Sequence, residues 1–259
     1  MNDDSADIRA IRRQPPRFRR VRVRDVEFVT PRLARVTVGG PELEGLTVAE
    51  PAASVRLLLP DPGEGLAIPT WAGNEFLRAD GTRPTIRTFT PRRFDPGTRE
   101  LDLEIVVHGE GAAADWVRSA APGDEAAVSG TGRGYTIDPT AASYVLAGDE
   151  TALSAIGQLI EHLAPGVAIR ALVEIADPAA RIDLPDHPGL TVEWPAERSR
   201  PGDALLAALA DTPIDGKTRV WVAGEAGAMF RIRRHLFDER GLGRDTVTVR
   251  GYWKHGRRG

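Results

Sequence analysis

The sequence predicts two domains in tandem, an N-terminal antiparallel β-barrel and a C-terminal α/β domain built on a parallel sheet. Three features of the chain point that way. Its first half holds six short strand-like runs separated by turn signals, with one helix among them. Its second half alternates strand and helix, the rhythm of a doubly wound sheet. Between the halves, Asp138-Pro139 interrupts both patterns within Thr136–Ala142, which sets the border between residues 1–138 and 139–259.

In the first half, Arg20–Phe28 sets Val21 and Val23 against Arg20, Arg22 and Arg24, the alternation of a half-buried strand. Leu33–Gly39, Ser54–Leu59, Thr85–Thr90, Leu101–Val107 and Glu125–Ser129 follow as strands. Gly39-Gly40-Pro41, Pro60-Asp61-Pro62-Gly63, Asp95-Pro96-Gly97 and Pro122-Gly123-Asp124 supply turns. A helix is expected over Ala112–Ala120. In the second half, strands are expected at Tyr144–Ala147, Ala168–Ala176, Leu190–Trp194, Arg219–Ala223 and Thr246–Arg250. Helices are expected at Thr151–Leu163, ending before Pro165-Gly166, and at Asp203–Leu209 and Ala226–Arg240. The last strand runs into a turn of aromatic and basic residues, Gly251–Gly256.

Composition narrows the function. With 41% apolar residues among 259, the chain can pack a core, and a net charge of −3 argues against general nucleic-acid binding. There are no cysteines, which removes disulfides, a thiol nucleophile, thiolate zinc and a cysteine-held iron–sulfur cluster. Electrons handled here must ride on a bound organic cofactor or on a ligand's metal. Met1–Asp7 is acidic with no apolar run behind it, and no stretch approaches the ~18 apolar residues of a membrane span. A cytoplasmic protein without membrane insertion or nucleic-acid partner is expected. The acid-free run containing Arg9, Arg12, Arg13, Arg17, Arg19, Arg20, Arg22 and Arg24 keeps open an arm for nucleic acid or membrane, though its second half reads as a strand.

Three segments can carry chemistry. Arg87-Thr88-Phe89-Thr90-Pro91-Arg92 offers a cation, a ring and hydroxyls on one strand, with Arg87, Phe89 and Pro91 on one face. An ordinary strand with solvated arginines explains it equally well. His108-Gly109-Glu110-Gly111 ends a strand and opens a helix, exposing backbone N–H groups where phosphate can sit. His108 can equally be structural there, and Trp116 a core residue. Ser129-Gly130-Thr131-Gly132-Arg133-Gly134-Tyr135 has glycines at alternate positions, which allow close approach to a ligand or simply make a flexible loop. Gly148-Asp149-Glu150-Thr151 lacks the G-x-G-x-x-G fingerprint, and its acids suit a helix cap better than phosphate.

In combination, Arg87-x-Phe-Thr-x-Arg92, the His108-to-Trp116 turn and helix, Ala147-to-Ala152, Val222-to-Glu225 and Gly251-to-Gly256 resemble the siderophore-interacting proteins. These are flavin-dependent ferric-siderophore reductases of the ferredoxin-reductase superfamily, and the resemblance spans about Phe18 to Gly256. It implies a FAD-binding barrel followed by an NAD(P)H-binding α/β domain, with NAD(P)H the expected donor and ferredoxin an alternative. It implies that Arg87 holds the FAD pyrophosphate, with Thr88 and Arg92 beside it, that Phe89 flanks the flavin, and that Thr90 approaches its N5. Val107, His108, Gly111, Ala113, Ala114 and Trp116 belong to the implied phosphate turn, Thr131 to the loop beyond it. Thr151 is implied near the nicotinamide side of the flavin, and Tyr252 and Trp253 are implied among the cofactor-binding residues. Arg56, Arg133 and Lys254 are the implied basic mouth for a ferric siderophore. No catalytic acid or nucleophile and no protein metal ligand is implied, and a monomer is expected. One departure is Phe89, where relatives carry Tyr; the lost hydroxyl bond is worth on the order of 1 kcal/mol. Another flavin reductase with a different acceptor, or a non-enzymatic siderophore- or flavin-binding module, remains open from the sequence.

Overall fold

The computed structural model describes residues 17–107, 109 and 111–256. The arginines at 9, 12 and 13, together with His108, lie outside the described residues.

Among the described residues, nine strands and one α-helix make the first unit: β1 (Arg19–Thr30), β2 (Leu33–Gly39), β3 (Val55–Leu59), β4 (Thr70–Trp71), β5 (Phe76–Leu77), β6 (Thr85–Phe89), β7 (Pro91–Asp95), β8 (Glu100–Val106), α1 (Ala112–Ser119) and β9 (Glu125–Gly130). Seven of the strands form one antiparallel sheet in the order β6-β3-β9-β1-β2-β8-β7. Its two end strands are consecutive in the chain, so Thr90 carries the backbone from one edge of the sheet to the other. Alternating residues turn inward: Val21, Val36, Leu57, Leu101, Leu103 and Val128 are buried in one core, with Ala114 and Val117 of α1 packed at its end. Each fully buried aliphatic side chain contributes about 1.5–3 kcal/mol.

The second unit contains β10 (Ser143–Asp149), α2 (Leu153–His162), β11 (Ala168–Glu174), β12 (Leu190–Glu193), α3 (Asp203–Ala210), β13 (Thr218–Glu225), α4 (Ala226–Arg234) and β14 (Val247–Trp253). The five strands are parallel, in the order β12-β11-β10-β13-β14. Strand order reverses between β10 and β13, and ligands gather outside the carboxyl ends at such a switch.

The two units are locked by α2. A helix buried all round must pack on two sides, and Leu153 through Ile160 are all buried. One side faces the parallel sheet; the other meets the barrel, where Leu33 and Ala52 join the same core. Polar contacts fix the docking. Gln158 donates to Pro91 O at 2.7 Å and accepts from Ala52 N at 2.8 Å. Ser154 donates to Glu104 at 2.8 Å, and Arg32 pairs with Glu150 at 2.9 Å.

The expected elements are present, with four differences. Strand β7 was not expected, because it begins with proline and continues Arg92-Arg93; proline is tolerated at a sheet edge, where β7 lies. The small β4–β5 hairpin is likewise additional. The helix expected to Arg240 ends at Arg234 and passes into a π-helical turn over His235–Glu239. Gly251-Tyr252-Trp253 is strand rather than turn: β14 keeps pairing with β13 as far as Glu225 opposite Trp253.

Candidate functional site

A cavity of about 520 Å³ opens where the barrel meets the α/β unit. The barrel contributes Arg87, Thr88, Phe89 and Thr90 at the end of β6, and Gly111 to Ala114 at the start of α1. The second unit contributes Thr151, Ser154, Arg250, Tyr252 and Trp253. At least four separate stretches of sequence thus converge on one space.

Arg87 is the principal charge. It is half-buried, and among the described residues no carboxylate lies within ion-pairing distance; its one hydrogen bond is to its neighbour's carbonyl, Ile86 O, at 2.9 Å. Burial holds its pKa below the usual guanidinium value, yet it stays charged at any physiological pH. A half-buried cation without a counter-charge is costly unless an anion completes it. The start of α1 adds to the demand. Gly111 caps the helix with no side-chain hydrogen bond, so N–H groups of the first turn remain available to an anion. Beside them, the ring of Phe89 packs against the barrel core and offers a flat edge. A pyrophosphate-linked aromatic cofactor such as FAD fits this set: a cation and N–H donors for the phosphates, an aromatic surface and the Thr90 hydroxyl for the ring system.

The far wall belongs to β14 and the β10–α2 turn. Tyr252 sits 3.4 Å from the Thr90 hydroxyl, oxygen to oxygen, and burial pushes its phenol pKa up, so it remains protonated. Arg250 reaches across the boundary to donate to Ala52 O at 3.1 Å and Gly134 O at 2.6 Å. Sequence reasoning did not single out Arg250. The signal available was a charged residue inside an apolar C-terminal strand, on the same face as Tyr252.

Several expected site residues lie elsewhere. Arg92 is turned to α2, where it forms a two-bond ion pair with Glu161 at 2.7 and 3.1 Å. The break at Thr90 resets the alternation, so Arg87 and Arg92 do not share a strand. Val107 is inside the barrel core, while its neighbour Val106 lines the cavity. Trp116 packs on the barrel core and faces another cavity beside Pro60–Leu66. Thr131 donates to Thr47 O at 3.0 Å. The alternating glycines approach protein, not open space: a Cβ at Gly134 would stand 2.4 Å from the Glu50 side chain, and one at Gly132 would be 2.6 Å from the Ser54 hydroxyl. Arg56, Arg133 and Lys254 are exposed and do not line the cavity, but each flanks a residue that does or that packs on one. Arg56 follows Val55 after Ser54 and sits 5.9 Å over the Phe76 ring; Lys254 directly follows Trp253.

A second cavity of about 300 Å³ lies at the carboxyl edge of the parallel sheet, lined by Asp149, Glu150, Glu174 and Glu197 among others. Asp149, Glu150 and Glu174 are already engaged, as is Glu225 nearby. Asp149 accepts from Thr151 N at 2.9 Å, capping the turn into α2 as its sequence context suggests. Glu174 accepts from Ala204 N at 2.9 Å and Leu205 N at 3.2 Å at the start of α3. Glu225 accepts from Ala228 N at 2.7 Å at the start of α4. Among the described residues no helix is long and apolar enough to cross a membrane, and no group of three or more His, Asp or Glu side chains is arranged to hold a metal ion.

Comparison with known proteins completes the picture. Residues 22–135 match the family model described as the siderophore-interacting FAD-binding domain, and residues 141–256 match the siderophore-interacting protein model. The chain is 30% identical over 241 residues to the NADPH-dependent ferric-chelate reductase of Escherichia coli K12, covering 92% of this chain and 93% of that protein. It is 25% identical over 237 residues to the ferric vibriobactin reductase ViuB of Vibrio cholerae, covering 89% and 87%. Among solved structures, a siderophore utilization protein from T. fusca superposes with a TM-score of 0.83 at 37% identity, covering 94% of this chain and 95% of the other.

Proposed function

This chain belongs to the siderophore-interacting protein family, and we propose that it is a FAD-dependent ferric-siderophore reductase drawing electrons from NAD(P)H. The observation that carries the reading is the half-buried Arg87 guanidinium in a cavity shared by both units and also lined by the start of α1, neither having an acidic partner among the described residues. The border between the FAD-holding unit and the donor-facing unit falls at 138/139.

FAD, when bound, accepts two electrons together and passes them on singly, which matches a hydride donor to a one-electron metal acceptor. The protein's own residues do the rest. Arg87 and the N–H groups of Ala112 to Ala114 would hold the pyrophosphate, Phe89 would offer its ring and Thr90 its hydroxyl to the flavin, and Tyr252 and Trp253 would exclude water from the cavity. Arg56, Arg133 and Lys254 supply positive charge at the mouth, which raises the encounter rate with anionic ferric chelates. The siderophore provides the iron's ligands, so the protein needs none. Hard ferric iron is held tightly by oxygen donors and ferrous iron weakly, so reduction alone loosens the cargo. The balance is two ferric siderophores and one NAD(P)H giving two ferrous ions, two free siderophores, NAD(P)+ and a proton. In this reading the protein acts as a monomer in the cytoplasm, and reduced ferredoxin is the alternative donor.

The test adds a ferric siderophore to FAD-loaded protein with NADH, NADPH or reduced ferredoxin in parallel, and traps ferrous iron with a chromogenic chelator. Colour that depends on FAD and on one of the donors is expected. FAD-loaded protein that releases no ferrous iron with any of them would leave it a binding module, and reduction of free flavin alone would assign it another acceptor.

A further inference from the structure

The carboxylate of Asp149 ends β10 at the switch point of the parallel sheet, and both of its oxygens are saturated with donors. Oδ1 accepts from Thr151 N at 2.9 Å and from the Thr151 hydroxyl. Oδ2 accepts from Glu225 N at 2.9 Å and from Trp253 Nε1 at 2.8 Å. Donors from the β10–α2 turn, the end of β13 and the end of β14 thus converge on one side chain. The fit is close: a Cβ at Gly224 would come within 2.5 Å of Oδ2, so only glycine lets β13 pass. A second acid repeats the arrangement one strand away, where Glu225 accepts from His255 N at 3.1 Å. Trp253 and His255 are therefore both tied to strand-end carboxylates, with Lys254 exposed between them.

Thr151, Trp253 and Val106 line both the 520 Å³ cavity and the 300 Å³ crevice at the sheet edge. They are the partition between the two spaces, and two of the three are held by Asp149. We propose that Asp149 is a positioning residue that latches the Trp253 indole and the Thr151 hydroxyl in place as the wall between the flavin cavity and the donor crevice. A hydroxyl or indole N–H bonded to a carboxylate is worth more than a bond between neutral groups, so the wall stands as a fixed surface rather than a rotating ring. The naming of the two spaces rests on the proposed flavin reading; the latch itself is a property of the polypeptide.

The experiment has a flavin-free arm and a loaded arm. In FAD-free, ¹⁵N-labelled protein, hydrogen exchange of the Trp253 indole N–H is followed, its signal assigned by its loss in Trp253→Phe. The fully buried Trp221 indole serves as an internal control for global opening. In Asp149→Ala, exchange at Trp253 is expected to speed up about ten-fold or more while Trp221 is unchanged. In the loaded protein, Trp253→Phe keeps an aromatic, though smaller, ring at this position but removes the latched N–H. Both variants are expected to lower the KM for NADPH about three-fold, with kcat less affected, and the double variant to go no further than Asp149→Ala alone. Unchanged exchange at Trp253, equal acceleration at Trp221, or additive effects on KM would overturn the latch. Accelerated exchange with an unaltered donor KM would overturn its role as a partition. Failure to bind FAD at all would sink the flavin reading and leave the exchange result to decide the latch.

Discussion

The two units treat the positive ends of their helices in opposite ways. In the barrel, α1 starts at Gly111 with no side-chain cap, and Arg87 lines the same cavity; among the described residues neither has an acidic partner. In the α/β unit, Asp149, Glu174 and Glu225 close the starts of the turn into α2, of α3 and of α4 with the protein's own carboxylates. Phosphate is attracted to the first arrangement and repelled from the second. The barrel is thus arranged to attract an anionic cofactor, whereas the helix starts of the parallel sheet are already occupied by the protein's own carboxylates.

That contrast can be broken most severely at Arg87. Arg87→Ala is expected to weaken FAD about thirty-fold, the loss of one charge-assisted phosphate contact, measured by titrating FAD-free protein and following flavin fluorescence. Unaltered affinity would mean the barrel's cation is incidental. Next in size, Glu174→Gln keeps one acceptor oxygen but loses the other from a side chain that is 3% exposed. Thermal unfolding should show about 1–3 kcal/mol of lost stability with FAD affinity intact; a parallel loss of FAD would show the two units are not separable in this respect. A smaller effect is expected at Lys254→Ala, which should raise the siderophore KM several-fold without slowing flavin reduction by NAD(P)H. Equal change in both steps, or in neither, would remove Lys254 from the mouth.

The smallest expected effect concerns pH at the unit border. Hydrogen bonds from Thr140, and then from Arg219, hold the Asp138 carboxyl below the usual carboxylate range, outweighing a modest opposing effect of burial. A depressed folded-state pKa gives stability that is complete above the ordinary carboxylate value of about 4 and is lost as pH falls through the folded value. Asp138→Asn should therefore be less stable than the parent protein above about pH 4, and its flatter acid limb should converge with the parent's as pH falls through the folded value. An identical acid limb in the variant would contradict this.

Much of the fold was legible because its signals are local. The inward rows of β1, β2 and β8 and the strand–helix rhythm after Ser143 follow from side-chain period alone. Strand β7 was hidden because Pro91-Arg92-Arg93 lacks β-propensity and is stabilised by its partner β8. At the site, Arg87 to Thr90, Gly111 to Ala114 and Tyr252-Trp253 do meet in one cavity. What stayed illegible depends on which distant residue arrives: Glu161 claims Arg92, Glu50 and Ser54 fill the space over the glycines of 130–134, and Arg250 crosses to the barrel. A single sequence records the capacity of a side chain to bond, and tertiary docking through α2 decides its partner.

The most direct test is a crystal structure of the protein grown with FAD. The pyrophosphate is expected between the Arg87 guanidinium and the N–H groups opening α1, with the ring system against Phe89 and Thr90. A pyrophosphate found instead at the carboxyl edge of the parallel sheet, beside Asp149, Glu174 or Glu225, would contradict the division between the two units.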